Sequence, residues 1–181
     1  MVDKRTLELI LSEQVRELAL KAKTKRCKRK EESLVNLESS LAQVVIGVRR
    51  SGKSTLCFNA LHASKVKYAY VNFDDERLAE IQAAHLNDVL EVLYKINGDF
   101  THLFLDEIQN VEGWHLFVNR MLRIGMKVVI TGSNAKLLSS ELATHLTGRH
   151  NPIELYPFSF AEFCDCKGLD TETLTTSSEA S

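Results

Sequence analysis

The sequence predicts an α/β fold, in which a five-stranded, mostly parallel sheet lies between two layers of helices. Five short apolar segments alternate with stretches of helical periodicity, a pattern typical of parallel strands whose connecting helices cover both faces. The chain has 181 residues, the size of one domain, and its 44% hydrophobic and 26% charged residues are the composition of a globular protein. We therefore expect a single three-layer sandwich.

The first predicted element is an amphipathic helix, because apolar residues recur at three- and four-residue steps near the N-terminus. A second helical pattern continues from Ser33 to Leu41, ahead of the first strand candidate. The predicted organisation is a helical, basic extension over residues 1–41, a core over 42–167 and a mobile tail over 168–181. The apolar positions of the first helix are Leu7, Ile10, Leu11, Val15, Leu18 and Ala22.

The strand candidates are short apolar runs bounded by polar or turn residues. Helical patterns follow most of them, which favours parallel strands joined by helical crossovers. The predicted strands are residues 43–46, 67–73, 102–106, 127–131 and 152–155. The predicted helices follow Gly52, Asn87, Gly113, Ala135 and Ser159.

The basic charge is concentrated near the N-terminus, although the whole chain has a net charge of −1. Seven of the ten residues from Lys21 to Lys30 are Lys or Arg. Such a run favours the phosphates of DNA or an acidic protein partner, or it is the solvated, frayed end of a helix. The second interpretation is favoured because no aromatic residue is interleaved to stack on bases.

No apolar stretch approaches the roughly 18–20 residues that a bilayer-spanning helix needs, so we expect a cytoplasmic protein without membrane contact. The cysteines are Cys27, Cys57, Cys164 and Cys166, and none forms a CxxC pair. We therefore predict reduced thiols and neither a disulfide framework nor a zinc site.

The segment from Gly47 to Ser54 fits G-x-x-x-x-G-K-[ST] at every fixed position, directly after a predicted strand and before a predicted helix. Such a loop points successive backbone N–H groups at a phosphate, and the following helix adds its positive dipole end. Lys53 is expected to reach the β and γ phosphates of ATP, and the Ser54 hydroxyl to bind Mg²⁺. The predicted nucleotide-binding residues are Gly47, Arg49, Arg50, Ser51, Gly52, Lys53, Ser54 and Thr55.

A second motif follows the apolar run Leu103–Leu105, which ends in Asp106 and Glu107. A buried strand would place Asp106 beside the phosphate-binding loop as a second Mg²⁺ ligand. Glu107 is the predicted general base, which orients and deprotonates an attacking water. The alternative is that the two acids form an N-terminal cap for the next helix.

Three further polar segments follow predicted strands or precede them. The acids in residues 74–76 are interpreted first as a helix cap and alternatively as a charged rim. Ser133 or Asn134 is predicted to hydrogen-bond the γ phosphate or the water, or else to belong to a turn with an Asn cap. Arg149 is predicted to neutralise the transferring phosphoryl group, in its own or a neighbouring subunit, or else to form a surface salt bridge.

Together these motifs resemble a prokaryotic family of AAA-type P-loop ATPases. The resemblance runs from about Ala42 to about Phe163 and includes GVRRSGKSTL, NFDDERL, LFLDEIQNVEGW, VVITGSNAKLL and LTGRHNPIELYPFSFAEF. The resemblance implies a core that uses a catalytic glutamate and has the sheet order 5-1-4-3-2. It also implies that Arg149 occupies a position typical of the family. The family's proteins continue into a C-terminal domain, so the resemblance also implies that this chain is truncated.

The leading functional interpretation is a Mg²⁺-dependent domain that binds ATP and hydrolyses it. An oligomeric form is compatible with this interpretation. A P-loop kinase is disfavoured by Asp106 and Glu107 and by the resemblance. A GTP switch is disfavoured because no NKxD motif is present. A nucleotide-gated module that binds DNA or protein with little hydrolysis stays open as the alternative.

Overall fold

A central five-stranded sheet organises the protein, whose computed structural model describes residues 2–24, 27–133 and 139–169. The strands are β1 Ala42–Gly47, β2 Tyr68–Asn72, β3 His102–Asp106, β4 Lys127–Ser133 and β5 His150–Glu154. Their spatial order is β2-β3-β4-β1-β5, and the four neighbouring pairs are parallel. This is the order 5-1-4-3-2 read from the other edge, so the predicted topology is confirmed.

The helices begin close to the predicted positions. They are α1 Lys4–Ala22, α2 Lys53–Ala63, α3 Leu86–Asn97, α4 Trp114–Arg123, α5 Ser139–His145 and α6 Phe160–Lys167. Short 3₁₀ turns lie at Lys30–Leu34, Glu76–Leu78, Ala83–His85 and Ile108–Asn110. The predicted start of α5 at Ala135 and the part of the predicted tail beyond residue 169 lie outside the described residues. Within the described ranges, no helix is both long and apolar enough to cross a membrane.

Both faces of the sheet are buried, because successive strand side chains alternate between two apolar clusters. Val44 and Ile46 pack into the cluster that α1, α3 and α4 cover, whereas Val45 and Phe104 pack into the cluster that α2 covers. The continuous burial of β1 and β3 is typical of parallel strands with helices on both sides. The predicted three-layer sandwich is therefore confirmed.

Helix α1 lies on the core through the apolar stripe that its sequence predicted. Leu7, Ile10 and Leu11 are at most 1% exposed and belong to the same cluster as the strands. Gln14, one turn further on, donates from Nε2 to the Asn72 carbonyl at 3.0 Å and accepts from the Asn72 N–H at 2.9 Å. These two bonds fix the helix against the carboxyl end of β2.

The prediction of a helix from Ser33 to Leu41 is wrong. The segment contains only the end of a 3₁₀ turn, at Leu34, and an irregular stretch that follows it. Side chains compete there for the backbone groups that a helix would use. Asn36 Oδ1 accepts from the Glu38 N–H at 3.1 Å, and Ser39 Oγ accepts from the Leu41 N–H at 3.0 Å. These local turns direct the chain into β1.

The cysteine prediction is wrong for one pair, because Cys27 and Cys166 form a disulfide with their Cα atoms 5.3 Å apart. They are 139 residues apart in the sequence, so local spacing rules could not relate them. The disulfide joins the segment before β1 to α6. Cys57 and Cys164 are free and buried.

Candidate nucleotide-binding site

The glycine-rich loop connects the carboxyl end of β1 to the first turn of α2. Gly52 has a φ of 92°, in the left-handed region that glycine adopts readily, and Arg50 also has a positive φ of 64°. Gly47 is required because there is no room for a side chain. A Cβ there would clash with the Leu155 carbonyl oxygen and approach Ser51 Oγ to 2.7 Å. The loop is thus packed directly against the chain that leaves β5.

Lys53 lies folded over this loop and is only 4% exposed. Its Nζ donates to the Val48 carbonyl oxygen at 3.1 Å and lies 3.3 Å from Glu107 Oε1. The ammonium group therefore already occupies the centre of the loop, where a phosphate oxygen would compete with these two acceptors.

Asp106 ends β3 beside the loop and is 3% exposed. Three hydroxyl groups donate to its carboxylate: Ser54 Oγ to Oδ1 at 2.8 Å, Thr131 Oγ1 to Oδ1, and Tyr70 Oη to Oδ2 at 3.0 Å. Burial raises the pKa of Asp106 above its ordinary value, and the hydrogen bonds from Thr131, Ser54 and Tyr70 oppose that rise. The carboxylate is thus dehydrated but held by donors on three sides.

Ser54 and Asp106 fit a Mg²⁺ ion chemically, since Mg²⁺ prefers hydroxyl and carboxylate oxygens and takes its remaining ligands from water and phosphate. The two side chains already meet at one point, 2.8 Å apart. No group of three or more His, Cys, Asp or Glu residues that could hold a metal occurs in the described part of the chain. Ser54 and Asp106 would supply two oxygen ligands, and the ion would take the others from water and the nucleotide.

Glu107 follows in a left-handed backbone conformation, with φ 54° and ψ 42°. Its N–H donates to Thr131 Oγ1 at 2.9 Å, and its Oε2 accepts from Gln109 Nε2 at 2.5 Å. The Glu107 side chain makes no capping hydrogen bond to the next turn. The interpretation of Asp106 and Glu107 as a helix cap is therefore wrong, since both carboxylates face the loop.

A cavity of about 620 Å³ opens at this edge and is lined by Arg49 and Arg50 of the loop, by Asp106 and Glu107, and by Lys21 of α1 among other residues. Positive and negative side chains face each other across it. The cavity is where a triphosphate would meet both the loop and the acids.

The acidic segment after β2 has two roles. Asp75 caps the 3₁₀ turn by accepting from the Arg77 N–H at 3.1 Å, as the cap interpretation predicted. Its hydrogen bond with the Arg77 guanidinium lowers the pKa of Asp75 to about 2. Asp74 instead pairs with Arg49 Nη2 at 2.7 Å on the exposed rim of the cavity.

Of the two residues predicted to hydrogen-bond the γ phosphate or the water, the structure describes Ser133. Ser133 ends β4 opposite Gly47, so it lies next to the loop. Asn134 lies outside the described residues. Ser133 is half-buried.

Arg149 lies at the amino ends of the strands, opposite to the phosphate-binding loop. Its carbonyl oxygen accepts there from the N–H of Ala42, the first residue of β1. Five residues of strand span about 16 Å, and the loop follows the far end of β1. The prediction that Arg149 reaches the phosphates within its own chain is therefore wrong. Arg149 precedes β5, which runs parallel to β1, so it lies at the amino ends of the strands, whereas the loop lies at their carboxyl ends.

Arg29 belongs to the basic run from Lys21 to Lys30, which the sequence predicts to be solvated or to bind DNA or an acidic protein. In the structure, Arg29 is only 6% exposed. Its Nη1 donates to the Ser51 carbonyl oxygen at 3.1 Å and to the Tyr156 carbonyl oxygen at 2.9 Å. Its guanidinium carbon lies 4.6 Å from the centre of the Phe158 ring. Nothing in a run of lysines and arginines distinguishes the one that becomes buried.

Tyr70 and Thr131 are the site residues that the motifs did not reveal. Thr131 lies inside β4, two positions before Ser133, which the sequence did single out. Tyr70 gave a weaker signal, as a hydroxyl-bearing residue within an apolar strand. Both act through Asp106, so their role depends on strand register and not on local sequence.

The parallel sheet in this order, with the loop between β1 and α2, defines a P-loop nucleotide-binding domain of the ATPase type. The chain belongs to the AAA domain family, whose sequence model matches residues 39–164. The family predicted from the motifs is thereby confirmed.

Two relatives resemble most of this chain. An uncharacterized protein of Methanocaldococcus jannaschii is 39% identical over 175 residues, which is 95% of this chain and 38% of that protein. An uncharacterized protein of Haemophilus influenzae is 35% identical over 144 residues, which is 75% of this chain and 36% of that protein. The chain thus spans little more than a third of the length of either relative.

Among solved structures, AMPPCP-bound DnaA from Aquifex aeolicus has a similar fold, with a TM-score of 0.52 and 19% sequence identity. The likeness covers 81% of this chain and 52% of that one. At this identity it shows the fold alone.

Proposed function

We propose that residues 42–167 form a Mg²⁺-dependent ATPase core, which binds ATP at the Gly47–Thr55 loop and hydrolyses it to ADP and phosphate. The observation that carries the proposal is the position of Glu107. Its carboxylate lies 3.3 Å from Lys53, the proposed phosphate ligand, and it directly follows Asp106, the proposed Mg²⁺ ligand. An acid so placed is available to act on water.

Binding changes the partners of Lys53 first. Phosphate oxygens replace the Val48 carbonyl and the Glu107 carboxylate as acceptors, while the N–H groups of the loop and the start of α2 receive the remaining charge. Ser54 and Asp106 would hold Mg²⁺, which would supply positive charge to the phosphate oxygens.

Glu107, released from Lys53, then orients a water molecule and accepts its proton as the water attacks the γ phosphate. Ser133 beside the loop is proposed to hydrogen-bond the γ phosphate or that water. Arg149 can contact the transferring phosphoryl group only from a neighbouring copy of the chain. In its own chain it lies at the amino ends of the strands, away from the loop.

The test of this function is phosphate release from ATP with Mg²⁺ and with excess chelator. We expect release that requires Mg²⁺ and disappears in Ser54→Ala, whereas Ser64→Ala at the exposed end of α2 keeps it. Release that ignores both chelation and Ser54 would contradict the proposed site.

The second candidate is a nucleotide-gated module that binds DNA or protein through the basic segment, and Arg29 favours it. Arg29 connects that segment directly to the Ser51 carbonyl oxygen of the loop. A ligand on the exposed neighbours Lys28 and Lys30 would therefore be coupled to the nucleotide site.

DNA binding by the unmodified chain and by Lys28→Gln/Lys30→Gln, measured across salt concentrations, tests this candidate. If DNA is the partner, affinity falls with salt, and the double variant reduces the slope of log K against log salt by about 2. A flat salt dependence in the unmodified chain would dismiss nucleic acid.

A further inference from the structure

Gln109 lies on a hydrogen-bonded turn just after the two acids of the site. The turn is the 3₁₀ segment Ile108–Asn110, in which the buried Ile108 carbonyl accepts from the Val111 N–H at 2.9 Å. Asn110 Nδ2 donates to the Phe73 carbonyl oxygen at 3.1 Å and so ties the turn to the end of β2. The backbone that carries Gln109 is therefore anchored on both sides.

The Gln109 side chain is directed at Glu107. Its amide nitrogen donates to Glu107 Oε2 at 2.5 Å, and this orientation of the amide is the one that a carboxylate acceptor requires. Within the described residues, its Oε1 is buried and has no hydrogen-bond partner. The contact with Glu107 is thus the polar contact that places this side chain.

The two carboxylate oxygens of Glu107 consequently have different partners. Oε2 is held by Gln109, whereas Oε1 faces Lys53 at 3.3 Å. A phosphate that takes over Lys53 frees Oε1 and leaves Oε2 fixed. The same turn would then present one free oxygen in one orientation.

We propose that Gln109 is a positioning residue for hydrolysis, which holds Glu107 Oε2 so that Oε1 is the oxygen that meets the attacking water. This inference rests on the proposed ATPase function and adds to it a residue that touches neither nucleotide nor metal. It accounts for a Gln109 amide nitrogen that donates to Glu107 Oε2 from a turn anchored at Phe73. Gln109 acts on the rate of hydrolysis and not on the affinity for ATP.

A double-mutant cycle tests the inference, with Gln109→Met and Glu107→Gln alone and combined. Methionine keeps the length and shape of the side chain but cannot donate. We expect Gln109→Met to lower kcat about tenfold or more and to leave the Kd for ATP within about twofold. In the Glu107→Gln background the same change should have less than a twofold effect, because the acid it positions is gone.

Two further variants make the result specific. Gln109→Glu is also isosteric but offers an acid in place of the donor, so it should lower kcat at least as much as Gln109→Met. Gln82→Met makes the same substitution at an exposed position and should leave kcat and Kd unchanged. Thermal melting of every variant reports whether the fold is kept.

The inference is overturned if Gln109→Met leaves kcat unchanged, if Gln109→Glu retains full turnover, or if Gln109→Met costs the same in both backgrounds. In each of these cases Glu107→Gln still lowers turnover and the proposed function stands. A chain that releases no phosphate under any condition would instead remove the proposed function and this inference with it.

Discussion

The Tyr70 hydroxyl donates to Asp106 Oδ2 at 3.0 Å, from β2 to the end of the neighbouring β3. Tyr70 is 6% exposed and Asp106 is 3% exposed, so the bond lies inside the protein. Burial and the nearby Asp106 carboxylate raise the pKa of the Tyr70 phenol, which stays a donor throughout the ordinary pH range. The metal-binding candidate is thus oriented by the core as well as by the loop.

Removing this donor should cost stability. In Tyr70→Phe, Asp106 Oδ2 loses its described donor, and a buried acceptor left without a partner costs about 1–3 kcal/mol. We expect the free energy of unfolding in urea at pH 7 to fall by about that amount. Tyr94→Phe, whose ring is 39% exposed, is the control and should change it by less than about 0.5 kcal/mol. Equal values for the two variants would mean that the bond contributes nothing.

The raised pKa of Asp106 predicts a pH dependence of stability without nucleotide. Because the folded state binds the Asp106 proton more tightly than the unfolded state, the stabilising contribution is complete below the unfolded pKa and is lost as pH rises through the folded pKa. Asp106→Asn should therefore gain stability relative to the unmodified chain as pH increases from about 4, near the ordinary pKa of an aspartate, to 8.

The measurement is the melting temperature of both chains over that pH range, with Asp99→Asn at an exposed position as the control. A difference between Asp106→Asn and the unmodified chain that stays constant with pH would contradict the assignment.

Lys53→Ala removes the ammonium group from the centre of the loop. Charge-assisted hydrogen bonds to phosphate contribute about 1.5–3 kcal/mol, so the affinity for ATP should fall at least about tenfold. Calorimetric titration measures the affinity for ATP. The control is Lys67→Ala, because Lys67 lies just before β2, at the amino ends of the strands and away from the loop. Unchanged affinity in Lys53→Ala would refute the location of the phosphates.

Helix α1 should behave as part of the core in unfolding experiments. Leu11 is fully buried against the sheet, and truncating such a side chain to alanine costs about 2–5 kcal/mol. Leu9 on the same helix is 58% exposed, so Leu9→Ala should cost less than about 0.5 kcal/mol. Similar small losses for both would show that residues 1–41 are a separable extension.

The sequence predicts the sheet and the loop well because both depend on local patterns. Continuous apolar runs mark β1 and β3, and the fixed glycines and Lys53 mark the phosphate-binding loop. The failure between Ser33 and Leu41 arose where Asn36 and Ser39 bind nearby backbone groups, an effect that apolar periodicity does not register.

Features that depend on which strands are neighbours were not predictable from local patterns. Arg149 precedes a strand parallel to β1, which already places it away from the loop, and the pairing of the two strands adds that it lies beside Ala42. Cys27 and Cys166 meet because the segment before β1 packs against α6, where Arg29 also pairs with Glu162 at 3.3 Å. Thr131 and Tyr70 likewise become site residues only through the strands that bring them to Asp106.

The most direct test of the account is a comparison of ATP binding and phosphate release between the unmodified chain and Glu107→Gln, with Mg²⁺ present. Glu112→Gln, an exposed acid five residues further on, is the matched control. We predict that Glu107→Gln binds ATP as tightly as the unmodified chain but releases phosphate at least about 100-fold more slowly, while Glu112→Gln releases it normally. Equal phosphate release by Glu107→Gln and the unmodified chain would show that another group activates the water and would contradict the account.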